Sequence, residues 1–411
     1  MKSGAIAFVA AGSGGHIQSA LAVLEFIVAN QPELAKNCIF VGSNLTMEGE
    51  VKKESLEESL CKRMNIPFVK VRGGKFQRQL SIHSLKLFLG IIFGFFDSWK
   101  FFTEHKPAVV VSFGGYSSLP MGFVAWMRNV PFLIHEQTTS IGLTNRLLKR
   151  FANISAISYV NSRPFFKGAK EVVMTGSPSR EYLFKVQTVG DLKTYLSTHP
   201  TPLENEINYI SDLEKLISNT DKYPLILMSG GSQGSHMLNH TILPLLNELT
   251  EHHSLFIQTG DNQLYKDYDV LMAAWEQLSD EKKSRVIIRK FIYEEFGILY
   301  KHSSLYIGRS GANSVYEVGM MGIPAVFIPI PWVTKNEQFT NAKIIEDLGF
   351  ATILHQDDLT PESLKAALDK MEKNSHAPPK ETLEALFPKN AAELITNEVI
   401  KLLEVDTKVS D

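Results

Sequence analysis

The stretch AIAFVAAGSGGH, residues 5–16, decides the fold of this chain. Residues 5–11 are apolar and uncharged, and 12–16 form a glycine-rich turn that closes on a histidine. A short apolar run bounded by glycines is typical of a buried strand in a parallel sheet. The run only just reaches the length of a signal-peptide core and the turn follows at once. We therefore interpret it as a first strand that feeds a helix.

The second half of the chain repeats this pattern. LILMSGGSQG, residues 225–234, is again an apolar run followed by a glycine-rich turn. Each half then has a strand that ends in small residues, VVVSFGGY and LYIGRSG, and later a proline-led strand with an asparagine-bearing helix. Three such units in the same order in each half predict an α/β fold. We expect two Rossmann-like domains with parallel sheets that face one central cleft.

Length and composition fit two domains. The chain has 411 residues, of which 44% are apolar and 21% charged, as in ordinary globular proteins. We predict a first domain at 1–178, joined by a C-terminal helix at about 389–404, a linker with a polar insertion at 179–223, and a second domain at 224–385. Nine strands are predicted, at 5–11, 38–41, 109–112, 132–134, 225–229, 255–258, 286–288, 305–307 and 325–328.

Charge is divided unevenly between the two halves. Residues 1–180 contain 21 Lys and Arg against 11 Asp and Glu, whereas residues 181–411 contain 21 against 33. A basic half points to an anionic membrane surface, a phosphorylated substrate or nucleic acid. The basic residues lack interleaved aromatic residues, so we expect no nucleic-acid partner. Cys38 and Cys61 are too few for a disulfide framework and are expected to be reduced thiols.

The segment 82–102 is unusually apolar. At helical spacing, one stripe has the pattern of a core face and contains Leu85, Phe88, Leu89, Ile92, Phe95, Phe96, Trp99 and Phe102. The candidate membrane residues fall on the other side of the same helix and are Leu87, Ile91, Phe93 and Phe101. Apolar residues with basic flanks suit contact with an anionic bilayer, and a fully buried helix is the alternative. No stretch approaches the roughly 20 apolar residues of a membrane span.

The two glycine-rich turns are candidate anion sites. The first fails the dinucleotide-binding pattern because Ile17 stands where the third glycine belongs. Backbone amides at a helix N-terminus nevertheless favour negative charge. His16 closes this turn, where its charged form is disfavoured, so a neutral imidazole can accept a proton. A histidine that only bonds the backbone of the turn is the alternative.

Two further patterns suggest other chemistry. Residues 230–234 also fit the G-x-S-x-G nucleophile elbow of hydrolases. Three downstream histidines are candidate bases: His302, His355 and His376. A hydrolase does not explain the duplicated halves, and we do not favour it. Asp267 and Asp269 match the D-x-D pattern that holds a metal on nucleotide sugars, but they lie in a charged segment typical of a solvated helix or loop. No Cys and His cluster has zinc spacing, and we expect no metal.

Seven motifs in order resemble the MurG family, the peripheral membrane N-acetylglucosaminyltransferases of peptidoglycan synthesis. They are Gly12-Ser13-Gly14-Gly15-His16, Gly114-Gly115-Tyr116, His135-Glu136-Gln137, Leu143-Thr144-Asn145, Gly230-Gly231-Ser232-Gln233-Gly234, Arg309-Ser310-Gly311-Ala312 and Gln338-Phe339-Thr340-Asn341-Ala342. The match covers roughly 4–180 and 224–350, which is most of the chain. Each motif is short, but seven in one order are specific.

The resemblance implies a GT-B fold and an inverting hexosyltransferase. The reaction would move GlcNAc from UDP-GlcNAc to the C4 hydroxyl of the MurNAc-pentapeptide of lipid I, which gives lipid II in cell-wall synthesis. No cofactor and no protein-held metal are implied. The expected partners are UDP-GlcNAc, lipid I (undecaprenyl-diphosphate-MurNAc-pentapeptide), an anionic membrane surface and other cell-wall synthesis enzymes. The expected location is peripheral, on the cytoplasmic face of the bacterial cell membrane.

The resemblance also implies roles for individual residues. His16 is expected to be the catalytic base, with Glu136 as second candidate. Acceptor-binding residues would be Gly12, Gly114, Gly115 and Tyr116, with Glu136 and Asn145 around the acceptor sugar. Donor-binding residues would be Ser13, Gly14, Gly15, Asn145, Arg180, Ser232, Gln233, Phe291, Ile292, Arg309, Ser310, Glu317, Gln338 and Asn341. Within this set, Phe291 and Ile292 would lie along the uracil and Glu317 would bind the ribose.

The chain departs from the family pattern at a few positions. Ser19 stands where a proline is usual, Thr138 where an asparagine usually follows His-Glu-Gln, and Glu337 where Gln or His is common. Two alternatives therefore accompany the leading hypothesis. One is another GT-B transferase with a different sugar donor or lipid acceptor. The other is a non-catalytic homologue that scaffolds cell-wall enzymes.

Overall fold

Two parallel sheets, one in each half of the chain, organise the protein. The computed structural model describes residues 4–12, 14–43, 56–72, 82–198, 207–231, 233–333 and 336–405. The chain divides into a first unit, Met1–Glu181 with Leu386–Asp411, and a second unit, Tyr182–Ala385. The predicted α/β class with parallel sheets is confirmed, because each unit holds one such sheet.

The first unit has seven strands in the order β3-β2-β1-β4-β5-β6-β7, and all neighbours are parallel. The strands are β1 (Ile6–Val9), β2 (Cys38–Gly42), β3 (Phe68–Lys70), β4 (Val109–Ser112), β5 (Phe132–Glu136), β6 (Ile154–Ile157) and β7 (Val172–Met174). The helices are α1 (Gly14–Asn30), α2 (Pro32–Ala35), α3 (Leu56–Arg63), α4 (Ile82–His105), α5 (Ser118–Met127) and α6 (Leu143–Leu148), with a 3-10 helix at Val160–Phe166.

Strand β1 is buried on both faces. Ile6 and Phe8 pack into one hydrophobic cluster with Leu24 of α1, whereas Ala7 and Val9 pack into a second cluster on the opposite face. Side chains alternate across a strand, so an apolar residue at every position requires a layer of helices on each side of the sheet. The continuous run that opens the sequence therefore specifies the centre of a three-layer domain.

The second unit has six strands in the order β10-β9-β8-β11-β12-β13, again all parallel. The strands are β8 (Leu225–Ser229), β9 (Ser254–Gln258), β10 (Val286–Arg289), β11 (Ser303–Gly308), β12 (Ala325–Phe327) and β13 (Ala351–Ile353). Its helices are α7 (Tyr182–Lys185), α8 (Val189–Thr198), α9 (Ile207–Ser218), α10 (His236–Ile242), α11 (Leu246–Leu249), α12 (Asp267–Glu276), α13 (Asp280–Lys283), α14 (Phe296–His302), α15 (Ala312–Met321), α16 (Glu337–Asp347), α17 (Pro361–Asn374) and α18 (Lys380–Leu386). Short 3-10 helices lie at Leu243–Leu245 and Gln356–Asp358.

Each sheet contains one point where the strand order reverses. It lies between β1 and β4 in the first unit and between β8 and β11 in the second. In open parallel sheets, ligands bind beyond the carboxyl ends of the strands at this point, because the helices on either side run to opposite faces of the sheet. Both glycine-rich turns follow these strands directly, at 12–15 and 230–234.

The stretch 179–223, expected as a linker with a polar insertion, differs from that expectation. It contains α7, α8 and α9, and these helices belong to the second unit. The apolar residues of α9 that face inward are spaced for one helical face, and Tyr209, Leu213 and Leu216 are buried. The average polarity of the segment concealed this face, because six of the eleven positions at 208–218 are exposed and only four are buried.

The last helix, α19 (Ala391–Val405), belongs to the first unit. Its apolar face, with Ile395, Val399 and Leu403, joins the hydrophobic cluster that contains Phe8 and Leu24. The chain therefore returns to the domain in which it started, and α19 covers one face of the first sheet beside α1.

Candidate functional site

The two glycine turns of the first unit pack directly on each other. Gly12, Gly114 and Gly115 all have positive φ, at +94°, +100° and +87°. A Cβ atom on Gly115 would lie 1.8 Å from the carbonyl oxygen of Ala11, so only glycine fits. A Cβ on Gly12 would lie 3.0 Å from the ring of Tyr116. The predicted acceptor-binding residues are thus brought together at the carboxyl ends of β1 and β4.

His16 lies on α1 beside these turns. Its ring packs against Gly114, where a Cβ would lie 3.2 Å from the ring carbon Cε1. Its Nδ1 lies 3.0 Å from Nε2 of Gln137. The ring is half-buried by accessible surface, yet surrounding protein atoms lower its pKa to about 4. His16 is neutral near pH 7 as the sequence predicts, but the cause is burial and not the helix N-terminus.

Glu136, the second candidate base, holds a loop instead. It ends β5 with only 3% of its surface exposed. Its Oε1 accepts hydrogen bonds from the backbone amide and hydroxyl of Thr138, at 3.2 and 2.8 Å. Its Oε2 accepts from the amide of Gly142 at 2.9 Å and from Nδ2 of Asn145 at 3.0 Å. Burial raises the pKa of Glu136, and these four donors oppose that effect.

Asn145 supports Glu136 through its side-chain amide. Its Nδ2 donates to Glu136 and also to the carbonyl oxygen of His135, at 2.8 Å, and its side chain is buried. The sequence placed Glu136 and Asn145 around the acceptor sugar. Both oxygens of Glu136 and Nδ2 of Asn145 form hydrogen bonds within 135–145, and Thr138 supplies two of them. Oδ1 of Asn145 is buried without a hydrogen-bond partner among the described residues, and the contact of either residue with a sugar stays a prediction.

Gln137 and Ser19 are the residues that the sequence analysis missed. Gln137 contacts His16, and Ser19 donates from Oγ to Oε1 of Gln137 at 3.3 Å. Gln137 is separated from these two by more than a hundred positions, so no local spacing reveals the contact. The available signal was the motif His135-Glu136-Gln137, whose third residue had no assigned role.

In the second unit, the turn at 230–234 is as tightly built as its counterpart. Gly234 has a φ of +75°, and a Cβ on it would lie 1.9 Å from the carbonyl oxygen of Thr259. Gln233 is exposed, whereas Ser232 and Ser13 lie outside the described residues. Each unit thus has a glycine where two backbone segments meet, Gly234 here and Gly115 in the first unit.

Arg309 places a positive charge beneath this turn. It follows β11 and is buried, and it donates to the carbonyl oxygen of Ile328 at 2.9 Å, to Ser235 Oγ at 2.7 Å and to Gln356 Oε1 at 2.8 Å. Burial lowers its pKa to about 10, which leaves it charged at pH 7. Within the described part of the chain, Arg309 forms no ion pair with a carboxylate. Its charge is therefore available to attract an anion at the turn.

The other predicted donor residues surround the same edge of the second sheet. Phe291 and Ile292 follow β10, with Phe291 half-buried and Ile292 buried. Glu317 of α15 is half-buried and accepts a hydrogen bond from the hydroxyl of Tyr300 at 3.0 Å.

Gln338 and Asn341 lie on α16 with different exposure. Gln338 is half-buried, and its Oε1 accepts from the backbone amide of Ile330 at 3.0 Å. Asn341 is buried and donates to the carbonyl oxygen of Ser310 at 3.4 Å. Asn341 therefore joins the turn after β11 to α16. Its Oδ1 is buried without a hydrogen-bond partner among the described residues, and its contact with the sugar stays a prediction.

Arg180, the predicted diphosphate ligand at the domain boundary, is ion-paired. Its Nε donates to Oε2 of Glu25 at 2.8 Å, and Nη2 contacts the other carboxylate oxygen. Both residues belong to the first unit. In this structure Arg180 ties the chain after β7 to α1, so binding a diphosphate would require it to exchange Glu25 for the phosphate.

The D-x-D pattern also has a structural use. Asp267 is buried at the start of α12, where Oδ1 lies 2.7 Å from Nδ1 of His236 and Oδ2 accepts from Nδ2 of Asn239 at 3.0 Å. Tyr265 stacks on His236, with ring centroids 3.7 Å apart. Asp267 was expected to be solvated, but it connects α12 to α10, and only Asp269 is exposed.

The exposed apolar residues of α4 agree with the predicted membrane residues at Phe93 but not at Phe101. Phe101 is buried against the first sheet, whereas Ile92, Phe93, Phe96 and Trp99 are exposed and form what we call the α4 apolar face. The prediction that Phe101 meets a membrane is therefore wrong. Helical spacing separates two faces but does not say which one packs on a sheet. The side chains of Leu87 and Ile91 lie outside the described residues.

Two guanidinium groups flank the α4 apolar face. Arg72 lies over the ring of Phe93 at 4.8 Å, and Arg128 lies over the ring of Trp99 at 4.1 Å. Arg128 keeps positive charge next to exposed aromatic surface, whereas Arg72 is also ion-paired with Asp97, at 2.7 Å. Among the helices that the structure describes, none is long and apolar enough to cross a membrane.

Comparison with known proteins agrees with this geometry. Residues 6–157 match the glycosyltransferase family 28 N-terminal domain and residues 225–397 match the family 28 C-terminal domain. A Ruminiclostridium cellulolyticum protein named UDP-N-acetylglucosamine--N-acetylmuramyl-(pentapeptide) pyrophosphoryl-undecaprenol N-acetylglucosamine transferase is 31% identical, over 89% of this chain and 92% of its own. A Lactiplantibacillus plantarum protein of the same name is 31% identical, over 87% and 88%. The chain belongs to the MurG family.

The solved structures support the same family and its fold. The crystal structure of Acinetobacter baumannii MurG shares 25% identity and a TM-score of 0.65, and the match covers 97% of this chain and all of that one. A UDP-GlcNAc 2-epimerase from Neisseria meningitidis, at 12% identity and a TM-score of 0.58, shares the fold alone. The GT-B fold and the glycosyltransferase class expected from the sequence are confirmed. The hydrolase interpretation of 230–234 is wrong, because the glycines of a MurG-type turn produce the same spacing.

Proposed function

We propose that this protein transfers N-acetylglucosamine from UDP-N-acetylglucosamine to N-acetylmuramyl-(pentapeptide) pyrophosphoryl-undecaprenol, with inversion at the anomeric carbon. The observation that carries the proposal is the pair of glycine turns at the reversal points of the two sheets, one beside His16 and one above Arg309. Relatives named for this reaction match nearly the whole chain. Both substrates carry a diphosphate, which suits two anion sites.

The second unit is proposed to hold the donor. The diphosphate would lie at 230–234, where backbone amides and the positive charge of buried Arg309 would stabilise its negative charge. Phe291 and Ile292 would meet the uracil, and Glu317 would accept hydrogen bonds from the ribose. Gln338 would donate hydrogen bonds to the sugar hydroxyls from Nε2, which has no hydrogen-bond partner among the described residues.

The first unit is proposed to hold the acceptor and the base. The lipid diphosphate would meet the turns at 12–15 and 114–115, with Tyr116 beside the acceptor sugar. His16 would take the proton from the attacking hydroxyl while the hydroxyl oxygen bonds to the anomeric carbon. The bond between that carbon and the phosphate oxygen breaks, and its electron pair leaves on UDP. Neutral His16 suits this step because a base must be unprotonated at the working pH.

The first unit is also proposed to bind the cytoplasmic face of the bacterial membrane peripherally. The α4 apolar face would enter the headgroup region, and Arg72 and Arg128 would contact anionic lipid headgroups. The net positive charge of residues 1–180 adds a general attraction to such a surface. An acceptor with a polyprenyl chain is held in a membrane, which supports peripheral binding to a membrane surface.

We expect Phe96→Glu to reduce binding to anionic vesicles at least tenfold. Phe96 is 67% exposed, so the charge is tolerated by the fold but opposes insertion and repels anionic headgroups. The measurement is co-sedimentation with phosphatidylglycerol-containing vesicles. The matched control is Trp332→Glu, which changes an aromatic residue that is 74% exposed in the second unit and should leave binding unchanged. Equal binding by Phe96→Glu and the unmodified protein would exclude the α4 apolar face as the contact.

The donor is tested with a panel of sugar nucleotides and a short-chain lipid I analogue. Transfer should be fastest from UDP-GlcNAc and slower from UDP-glucose, which lacks the acetamido group, and from UDP-GalNAc, which inverts one hydroxyl. Faster transfer from another nucleotide sugar would replace the donor in this proposal while keeping the transferase assignment.

A further inference from the structure

Three side chains form a hydrogen-bonded chain that ends on the proposed base. Ser19 Oγ donates to Gln137 Oε1 at 3.3 Å, and Gln137 Nε2 lies 3.0 Å from His16 Nδ1. Ser19 lies almost one helical turn beyond His16 on α1, and Gln137 follows β5 directly. Ser19 and Gln137 are both buried. These hydrogen bonds are therefore sheltered from bulk water, which would otherwise compete for the same donors and acceptors.

Two glycines confine the middle and the end of this chain. A Cβ on Gly15 would lie 2.9 Å from Gln137 Nε2, and a Cβ on Gly114 would lie 3.2 Å from His16 Cε1. The amide and the ring therefore sit against backbone, with little room to swing sideways. A rotation of the Gln137 amide by 180° about χ3 exchanges its oxygen and nitrogen atoms. The rotated amide occupies the same space.

The two ends of an amide have opposite hydrogen-bonding character. In this structure the NH2 end of Gln137 faces His16, so Nδ1 accepts and the proton of the neutral ring lies on Nε2. With the amide turned, Oε1 accepts from Nδ1–H and the lone pair of Nε2 is free. The Ser19 hydroxyl suits both arrangements, because it donates to an oxygen or accepts from an NH2 group.

Only the second arrangement allows His16 to act as a base. Nδ1 is covered by Gln137, so Nε2 is the nitrogen that remains for a substrate, and it has no hydrogen-bond partner among the described residues. A proton on Nε2 prevents it from accepting another. After proton transfer the imidazolium donates from Nδ1, which only the oxygen end of Gln137 can accept.

We propose that Gln137, supported by Ser19, is a positioning residue that sets the tautomer of His16: Nε2–H in the arrangement seen here, and the proton-accepting Nδ1–H tautomer once the amide has turned. The inference rests on the proposed role of His16. The hydroxyl proton of the acceptor goes to Nε2, Nδ1 keeps its proton bonded to Gln137 Oε1, and the electron pair of the broken sugar–phosphate bond leaves on UDP. Ser19 stands where the family usually has a proline, so this chain has an outer hydroxyl that a proline cannot supply.

Among the residues that the structure describes, the other groups around the ring carry no permanent charge. Ser19 from α1 and Gly114 from the turn after β4 are uncharged. His135 on β5 is the titratable group that interacts electrostatically with His16, and burial lowers its pKa to about 4, so it is also neutral at pH 7. Glu136 directs both oxygens to the loop 138–145. Gln137 is thus the position at which a substitution should change the protonation of His16.

The test compares Gln137→Glu and Gln137→Leu in the full chain. Glutamate has the shape of glutamine but accepts at both oxygens, so it should fix the proton on Nδ1 and raise the pKa of His16. Nitrogen NMR of histidine-labelled protein, with His16→Ala to assign the signal, should show Nε2–H in the unmodified protein and Nδ1–H in Gln137→Glu. The acidic limb of the kcat/KM profile should move up by about one pH unit, because a base with a higher pKa is protonated at higher pH.

Leucine has about the volume of the glutamine side chain but neither donates nor accepts hydrogen bonds. Gln137→Leu should lower kcat at least tenfold, with the KM for UDP-GlcNAc within about twofold, whereas Gln137→Glu should keep kcat within about threefold on the alkaline plateau. The same tautomer in Gln137→Glu and the unmodified protein, or unmodified kcat in Gln137→Leu, would overturn the proposal. Activity that survives in His16→Ala would show that His16 is not the base. The NMR comparison would still test whether Gln137 sets the tautomer of His16, so failure of the proposed base and failure of the proposed role of Gln137 are distinguishable.

Discussion

Replacing His16 by alanine is expected to lower kcat for sugar transfer at least a hundredfold. A positioned general base contributes about 10²–10⁴ in rate, and His16 is the neutral imidazole at the reversal point of the first sheet. The KM for the donor should change little, because nine of the fourteen expected donor residues lie in the second unit and His16 is not among the fourteen. Steady-state kinetics with a lipid I analogue would measure both values.

The matched control for this prediction is His252→Ala. His252 is an exposed histidine of the second unit, far in sequence from every proposed site residue, and its loss should leave kcat unchanged. Circular dichroism and thermal unfolding should show that His16→Ala folds normally. A kcat within about threefold of the unmodified protein, with normal folding, would contradict the assignment of His16 as the base.

The second large effect concerns the turn of the second unit. Gly234→Ala is expected to lower the free energy of unfolding by about 3–5 kcal/mol, because the new Cβ would lie 1.9 Å from the carbonyl oxygen of Thr259 and the residue has positive φ. The backbone segments would have to separate, and the turn would lose its shape. Chemical denaturation would measure the loss, and a thermal shift with UDP-GlcNAc would show weakened binding.

Gly231→Ala distinguishes backbone strain at positive φ from a steric clash of the new Cβ atom in the same turn. Gly231 also has positive φ, at +82°, but a Cβ there would meet nothing within 4 Å. Its substitution should cost only about 1–2 kcal/mol, from the left-handed backbone conformation. Equal losses for the two variants would show that the close approach at Gly234 does not determine the stability of the turn.

Much of the fold follows from short apolar runs in the sequence. All nine predicted strands are present, because each is an apolar segment next to a turn. The four strands not predicted, β3, β6, β7 and β13, have only three or four residues each. Runs of this length carry little periodicity, and they form because a neighbouring strand offers them a partner.

The site was predictable where glycines and motifs mark it, but not where distant side chains meet. The turns at 12–15 and 230–234 were located by their composition, and His16 by its position after the first. The bonds from Ser19 through Gln137 to His16 depend on the pairing of β1, β4 and β5, which no local pattern shows. The inward orientation of Phe101 likewise depends on how α4 packs against the sheet.

The most direct test of the central claim is transfer itself. Purified protein is mixed with labelled UDP-GlcNAc and a short-chain lipid I analogue, and the label is followed into the lipid fraction. The proposed function predicts label in the lipid, at least a hundredfold reduced for His16→Ala. No transfer to the lipid by folded protein that still binds UDP-GlcNAc would contradict it.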